Sequence, residues 1–416
     1  MNILFISGHG QQGQHISEGS SMKILFVAMT DSIHTARWIN QIADQGWDIR
    51  LFPVNSAAPC SELRNVTVYG IALFRPCNLH PSVRYIGLLP IGRAGNILEM
   101  AAYRFFPQLW EFALRMVIKI IKPDIVHSLE FQHSAYFTLP VILKERKRGG
   151  KIPKWVVTNW GSDVYLFGRL AEHRQRVRQV LEECDFYSCE CERDVRLAQE
   201  FGLKGQVLPV FPNTGGFDLR HIKTLRQPGP TSQRRTILLK GYQHWAGRAL
   251  VGLRALTRCA DILKEGKYQV AIYSASPDVK IAAELFEQET GIITVLIPKS
   301  THDEMLSSYG QARLYIGLSI SDAISTSLLE AMAMGTFPIQ SCTSCADEWI
   351  DNGRNGFIVP PEDPEEISTA IQKALIDDIL VNQAAKMNLQ IVHKRLDETL
   401  IQEKIIEMYK KIIGRK

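Results

Sequence analysis

The sequence predicts an α/β protein built of two doubly wound, Rossmann-like domains, and three observations carry that expectation. The chain has 416 residues, 45% of them hydrophobic, which is too many for one ordinary core and enough for two domains. Short β-branched runs alternate with helix-length amphipathic stretches almost throughout, the pattern of parallel βαβ units. The alternation breaks once, between Phe211 and Arg235, where Pro212, Gly215, Gly216, Pro228, Gly229 and Pro230 collect among polar residues and favour an exposed connection.

The first domain is expected over residues 22–215. Its strand candidates are Lys23–Val27, Ile49–Val54, Asp124–His127, Trp155–Asn159, Phe186–Ser188 and Gln206–Val210, with helices near His34–Ala43, Leu109–Ile121, Ala135–Lys147, Glu172–Glu183 and Asp194–Phe201. A linker follows at 216–235. The second domain, 236–395, repeats the alternation with strands at Thr236–Leu239, Gln269–Tyr273, Ile292–Ile297, Leu314–Ser319 and Phe337–Gln340. In the tail, 396–416, Leu400, Ile401, Ile405, Met408, Tyr409 and Ile412 fall at helical spacing and predict one amphipathic helix.

Residues 1–21 read as an N-terminal extension or an extra strand, because MNILFISG and MKILFVAM look like two copies of one opening strand. Met1 and Met22 both remain candidate starts. Gly8-x-Gly10-x-x-Gly13 formally matches the dinucleotide fingerprint. Gly19, Ser20 and Ser21 leave room for barely two helical turns before the next strand, so a nicotinamide or flavin oxidoreductase is the weakest reading.

Composition narrows the partners. Charged residues make up 22% of the chain and the formal net charge is +5, which points to neither disorder nor a dedicated nucleic-acid protein. The longest apolar candidate for a membrane span, Phe112–Ile121, is cut by Arg115 and Lys119 and is far short of a bilayer. The N-terminus lacks the basic region of a secretory signal, so a cytoplasmic protein is expected. Eight scattered cysteines fit reduced thiols better than a disulfide framework. Cys189-x-Cys191 and Cys342-x-x-Cys345 are half-sites at most, without a second spaced pair, and no metal is expected there.

No Walker loop and no Asp-x-Asp occurs. Metal-dependent handling of sugar nucleotides usually needs paired carboxylates, so a bound diphosphate here would be neutralised by cations and backbone amides. The stretch Ile320–Gly335 supplies such a place: a strand ends near Ser319, a small polar loop follows, and Ser325 or Thr326 can cap a helix running to Met334. The amides of Ser325, Thr326, Ser327 and Leu328 and the positive helix end would then face a phosphate. Asp322 lies in the loop and Glu330 inside the helix, so that one acid can meet ribose hydroxyls and the other a sugar; ordinary solvated acids are the alternative. Lys240 and Arg248, eight apart across a Gly-containing loop, can clamp a diphosphate and stabilise a leaving group, or be plain surface cations.

The run Asp322-x-x-x-x-Ser-Leu-Leu-Glu330-Ala-Met-Ala-x-Gly335 resembles glycosyltransferase family four, with Asp322 standing where that family carries its first Glu. The resemblance continues through Glu348-Trp-Ile-x-Asn-Gly353, Asn355-Gly-Phe-Ile-Val-Pro360 and Asp363-Pro-Glu-Glu-Ile367. It implies a GT-B fold, two domains facing a cleft, with the C-terminal helix crossing back to the first domain. It implies a retaining glycosyltransferase with a nucleotide diphosphate sugar, UDP or GDP type, as donor and no other cofactor. Pro123-Asp-Ile-Val-His127 and Asn159-Trp-Gly-Ser-Asp163 resemble two further family motifs, which would place His127 at the transferred sugar and Asp163 beside His127 or the acceptor. A buried structural histidine and a turn aspartate are the alternatives. His34, in the loop after the first strand, is assigned to acceptor contact. The implied acceptor is a glycan, a lipid-linked glycan or a small molecule, in surface polysaccharide synthesis. The basic cluster at 144–154 can touch anionic headgroups or be a solvated helix end. A non-catalytic sugar-nucleotide binder and a nucleotide-sugar epimerase are the rival functions.

Overall fold

The computed structural model describes residues 21–72, 78–89, 107–149 and 152–414. The expectations for residues 1–20, including Gly8 to Gly13, and for Lys151 lie outside the described residues.

The first domain is one parallel sheet of eight strands: β1 (Lys23–Ala28), β2 (Asp48–Pro53), β3 (Thr67–Ala72), β4 (Arg84–Leu89), β5 (Ile125–Leu129), β6 (Lys154–Thr158), β7 (Phe186–Ser188) and β8 (Gln206–Val207). Their order is β4-β3-β2-β1-β5-β6-β7-β8. The second domain holds six: β9 (Thr236–Lys240), β10 (Gln269–Tyr273), β11 (Thr294–Ile297), β12 (Ala312–Gly317), β13 (Phe337–Ser341) and β14 (Phe357–Val359). They run β11-β10-β9-β12-β13-β14, again parallel. Helices cover both faces, so central strands such as β5 and β12 are buried along their whole length, with no face left to solvent. The strand order reverses beside β1/β5 in one sheet and β9/β12 in the other, the places where open α/β sheets leave a crevice at the strand carboxyl ends.

The sequence reading places no strand between 54 and 124, yet β3 and β4 lie there. Each is interrupted by a glycine, Gly70 paired with Gly87, which weakens the strand pattern. The ring of Tyr85 lies where a Cβ of Gly70 would be. β14 is likewise unpredicted, being only three residues long. The segment 216–235 is not a free connection. It contains the helix Leu219–Leu225, and Arg226 and Thr231 donate to the carbonyls of Ala333 and Gly335 in the second domain.

The C-terminal helix, Glu398–Gly414, returns to the first domain. Ile401, Ile405, Met408, Tyr409 and Ile412 complete a core with Ile24, Phe26, Trp38 and Ile39, and Trp38 Nε1 donates to Tyr409 Oη at 2.9 Å. The outgoing and returning chains cross side by side, since Phe217 N donates to Leu396 O at 2.7 Å and Glu398 N to Phe217 O at 3.1 Å. Among the described residues no helix is long and apolar enough to cross a membrane.

Candidate active site

A cavity of about 320 Å³ lies between the two domains at the carboxyl ends of their strands. His34, Trp160, Gly161 and Glu190 line it from the first domain, Asn213 and Thr214 from the approach to the linker, and Lys240, Tyr242, Asp322, Ile324, Thr326 and Ser327 from the second. A second cavity, about 510 Å³, opens past the ends of β10 and β11 and is lined by Tyr273, Ile297, Lys299, His302 and Glu330 among others. Ser327 lines both, so the two flank the start of the helix Thr326–Ala333.

That helix begins where the buried strand β12 has ended and its loop turns back. Ser325 is the cap residue, extended at φ −69° and ψ 116°, but its side chain makes no capping bond. The first-turn amides and the positive helix end are thus presented toward the cavity, where an anion is favoured. Asp322 and Glu330 fall on opposite sides of this helix start. Asp322 Oδ1 accepts from the amide of Ala323 at 2.9 Å and the residue lines the interdomain cavity. Glu330 is buried at the wall of the second cavity, with Oε1 2.8 Å from His302 Nε2. Tyr273 Oη donates to Ser327 Oγ at 2.9 Å.

The two candidate cations separate. Lys240 ends β9 and reaches the interdomain cavity, its Nζ 4.8 Å above the Tyr242 ring. Burial works against its charge, but Tyr315, Asp322, Tyr242 and Glu330 together outweigh burial and raise its pKa, so it is a fixed cation at neutral pH. Arg248 does not line the cavity. The loop folds back, pairing Gln243 with Arg248, and the guanidinium donates to the carbonyls of His244, Ala246 and Gly247 and to Glu362 Oε1 at 2.8 Å.

His127 is fully buried inside β5 rather than in the cavity. Its Nδ1 lies 2.6 Å from Tyr409 Oη and its Nε2 2.6 Å from Thr158 Oγ1, and burial lowers its pKa to about 3. Asp163 is also buried and does not bond His127. Its Oδ2 accepts from the amides of Trp160 at 2.7 Å and Phe131 at 3.0 Å, an arrangement that fixes the Trp160–Asp163 turn against the end of β5. Burial, with the charge of Glu130 beside it, raises its pKa. His34 does line the cavity, its ring edge-on to Trp160 with centroids 5.6 Å apart, and burial lowers its pKa.

Glu190 is a site residue the sequence reading missed. It follows β7 at the same sheet edge, lines the cavity and takes the amide of Asn213 on Oε1 at 2.7 Å. Burial, with the charge of Asp322 nearby, pushes it up to about 8, so it carries its proton at neutral pH. Its position after a predicted strand was the available signal. The basic cluster is largely engaged in ion pairs, Lys144 with Glu111 at 2.7 Å, Arg146 with Glu183 at 2.8 Å and Arg148 with Glu145 at 3.8 Å.

The two motif loops meet across the cleft. Ser321 Oγ donates to Ser162 Oγ at 2.8 Å, and Gly161 faces Asp322 so closely that a Cβ there would press on its carboxylate.

Residues 258–390 match the model of glycosyl transferases group 1, and residues 23–89 that of glycosyl transferase 4-like proteins. No curated protein sequence matches the chain. Among solved structures it is similar to sucrose-phosphate synthase from Thermosynechococcus elongatus, with a TM-score of 0.66 at 16% identity over 95% of this chain and 100% of that one. A glycosyltransferase from Rickettsia africae gives a TM-score of 0.65 at 15% identity over 95% and 100%. HepE from Anabaena, in complex with UDP-glucose, gives 0.64 at 14% over 94% and 100%. These likenesses span both domains and concern the fold.

Proposed function

The chain belongs to the group 1 glycosyl transferases and has the GT-B fold, and from that premise we propose a retaining, metal-independent transfer of a sugar from a nucleoside diphosphate. One observation carries the reading. Lys240, the uncapped start of the helix Thr326–Ala333 and Asp322 converge on a single cavity that both domains close.

In this reading the nucleoside occupies the cavity of about 510 Å³, with Glu330 taking the ribose hydroxyls. The diphosphate passes Ser327 onto the helix amides and Lys240, and the sugar lies beside Asp322. As the glycosidic bond breaks, negative charge builds on the departing phosphate, and fixed donors in a water-poor cleft stabilise it. The acceptor enters from the His34, Trp160 and Glu190 side. Its hydroxyl attacks from the face the diphosphate leaves, and its proton passes to a donor phosphate oxygen. Protonated Glu190 donates a hydrogen bond in the acceptor region. The UDP-glucose held by HepE favours UDP over GDP as the carrier. A glycan or lipid-linked acceptor in surface polysaccharide synthesis, at the cytoplasmic face of the membrane, completes the reading.

Screening nucleotide sugars for thermal stabilisation identifies the donor, because binding to the native state raises the melting point. With that donor, free nucleoside diphosphate is expected only when an acceptor is supplied, with a chelator present throughout, and the product keeps the anomeric configuration. Loss of turnover on chelation, or an inverted product by NMR, overturns the mechanism.

A further inference from the structure

The two cysteine half-sites of the sequence lie in different domains, and folding brings one cysteine of each together. Cys191 Sγ and Cys345 Sγ are 2.8 Å apart, and the residues are 0% and 3% exposed. We propose that Cys191 and Cys345 form a peroxide-oxidisable pair, a modification site at which a disulfide locks the two domains together.

The pair sits in a clasp between the domains. Cys191 is the extended cap residue of the helix Glu192–Glu200, and the amides of Glu192 and Arg193 donate to Glu348 Oε1 of the second domain at 2.8 and 3.4 Å. Arg193 reaches further, to the carbonyl of Thr343 at 3.0 Å and that of Asp322 at 2.8 Å. Cys345, between those partners, is held at φ +47°, a conformation a cysteine adopts only where its surroundings impose it. Separating the domains breaks these contacts together and parts the sulfurs. The clasp also fixes the main chain of Asp322, so its state is coupled to the cavity.

Asp194 lies with the two thiols, the three donor atoms within 4.8 Å of one another. Its carboxylate is already occupied, accepting from Arg193 Nε at 2.9 Å and Asn159 Nδ2 at 2.8 Å, and three donors are one short of a closed zinc site. Thiol chemistry fits the site better than metal chemistry.

The hydrogen bond with Cys345, with burial added, pushes the Cys191 thiol up, so it is protonated and inert while the clasp is shut. Opening exposes it. Hydrogen peroxide then converts one thiol to a sulfenic acid and releases water. When the clasp closes, the second thiol attacks that sulfur, the S–S bond forms and a second water leaves. In sum, two thiols and one peroxide give one disulfide and two waters. A reduced dithiol reverses the bond by exchange. Formation of the bond is independent of the transfer reaction, and only its effect on turnover rests on the proposed function.

The test uses the full-length wild-type protein treated with hydrogen peroxide and mapped by mass spectrometry without reduction. A linked peptide joining Cys191 to Cys345, removed by dithiothreitol and lost in both Cys191→Ser and Cys345→Ser, is the expected result. Donor turnover is expected to fall at least tenfold on oxidation and to recover on reduction, while Cys345→Ser keeps its turnover in peroxide. Oxidation at the exposed Cys342 without the link overturns the proposal, as does a link that leaves turnover unchanged. Stoichiometric zinc that survives gel filtration and is lost in Cys345→Ser overturns it in favour of a metal centre. A reduced protein that forms the link but turns over no donor counts against the transferase reading alone.

Discussion

Gly161 of the first domain faces Asp322 of the second so closely that a Cβ at Gly161 would stand 2.8 Å from Asp322 Oδ1 and 3.2 Å from the amide nitrogen of Ala323. A side chain there would have to displace the Asp322 carboxylate from the amide of Ala323 or push the two loops apart. Gly161→Ala is expected to hold the loops apart and lower kcat/KM by roughly ten- to hundredfold, the scale of a small misplacement at a reacting centre. Steady-state kinetics beside a thermal melt check this, and unchanged kinetics with an intact fold would show that the two loops need not touch during turnover.

Lys240 and Arg248 are expected to behave differently, because only Lys240 lines the cavity. In the proposed mechanism Lys240→Ala removes the cation set against the departing diphosphate and should cost about 10²- to 10³-fold in kcat, the scale seen when one preorganised donor is lost. Arg248→Ala removes an ion pair to the exposed Glu362 and bonds to nearby carbonyls. It should change kcat by only a few-fold. Equal losses in the two variants would return Arg248 to the diphosphate.

Glu330 and His302 form a second testable pair. Glu330→Gln keeps the size of the side chain but loses the carboxylate proposed to accept ribose hydroxyls, and nucleoside diphosphate binding is expected to weaken by about tenfold, or ~1.4 kcal/mol. His302→Ala leaves the carboxylate without its 2.8 Å partner and should weaken binding less. Titration calorimetry with UDP reads both, and a Glu330→Gln affinity equal to wild type would remove Glu330 from the donor site.

His127 makes a prediction about stability. Burial lowers its pKa to about 3 from the ordinary 6.5, so the unfolded chain binds a proton that the folded chain refuses between those limits. Its contribution to stability is present above pH 6.5 and is lost as the pH falls toward 3, at up to about 1.4 kcal/mol per pH unit. Urea unfolding midpoints at pH 7.5 and 5.0 should converge in His127→Gln relative to wild type. An equal pH dependence in the two proteins would show that His127 is not held neutral by the fold.

Local pattern made the sheet scaffold legible. β1, β7, β10 and β13 lie within a residue of their expected positions, because buried parallel strands are short apolar runs that differ sharply from the helices between them. β3 and β4 were hidden by their central glycines, and the role of Gly70 is set by Tyr85 on the neighbouring strand. The start of the helix Thr326–Ala333 was readable as well, since a small polar loop before an apolar helix is a local signal.

Side-chain destinations were not readable in the same way. Lys240 and Arg248 are alike in the sequence, yet one reaches the cavity and the other turns back on its own loop. His127 stands in a strand buried along its whole length, and it is sealed there by Tyr409, 282 residues away. Glu190, and the meeting of Cys191 with Cys345, depend on how the two domains face each other.

The sequence by itself determined two parallel α/β domains, an amphipathic C-terminal helix and an anion-favouring helix start near Ser325, because periodicity and capping act over a few residues. The tertiary structure alone decided which charges face the cavity, which histidine is sealed in the core and which cysteines become neighbours. Those outcomes depend on contacts between segments hundreds of residues apart, for which no local pattern exists.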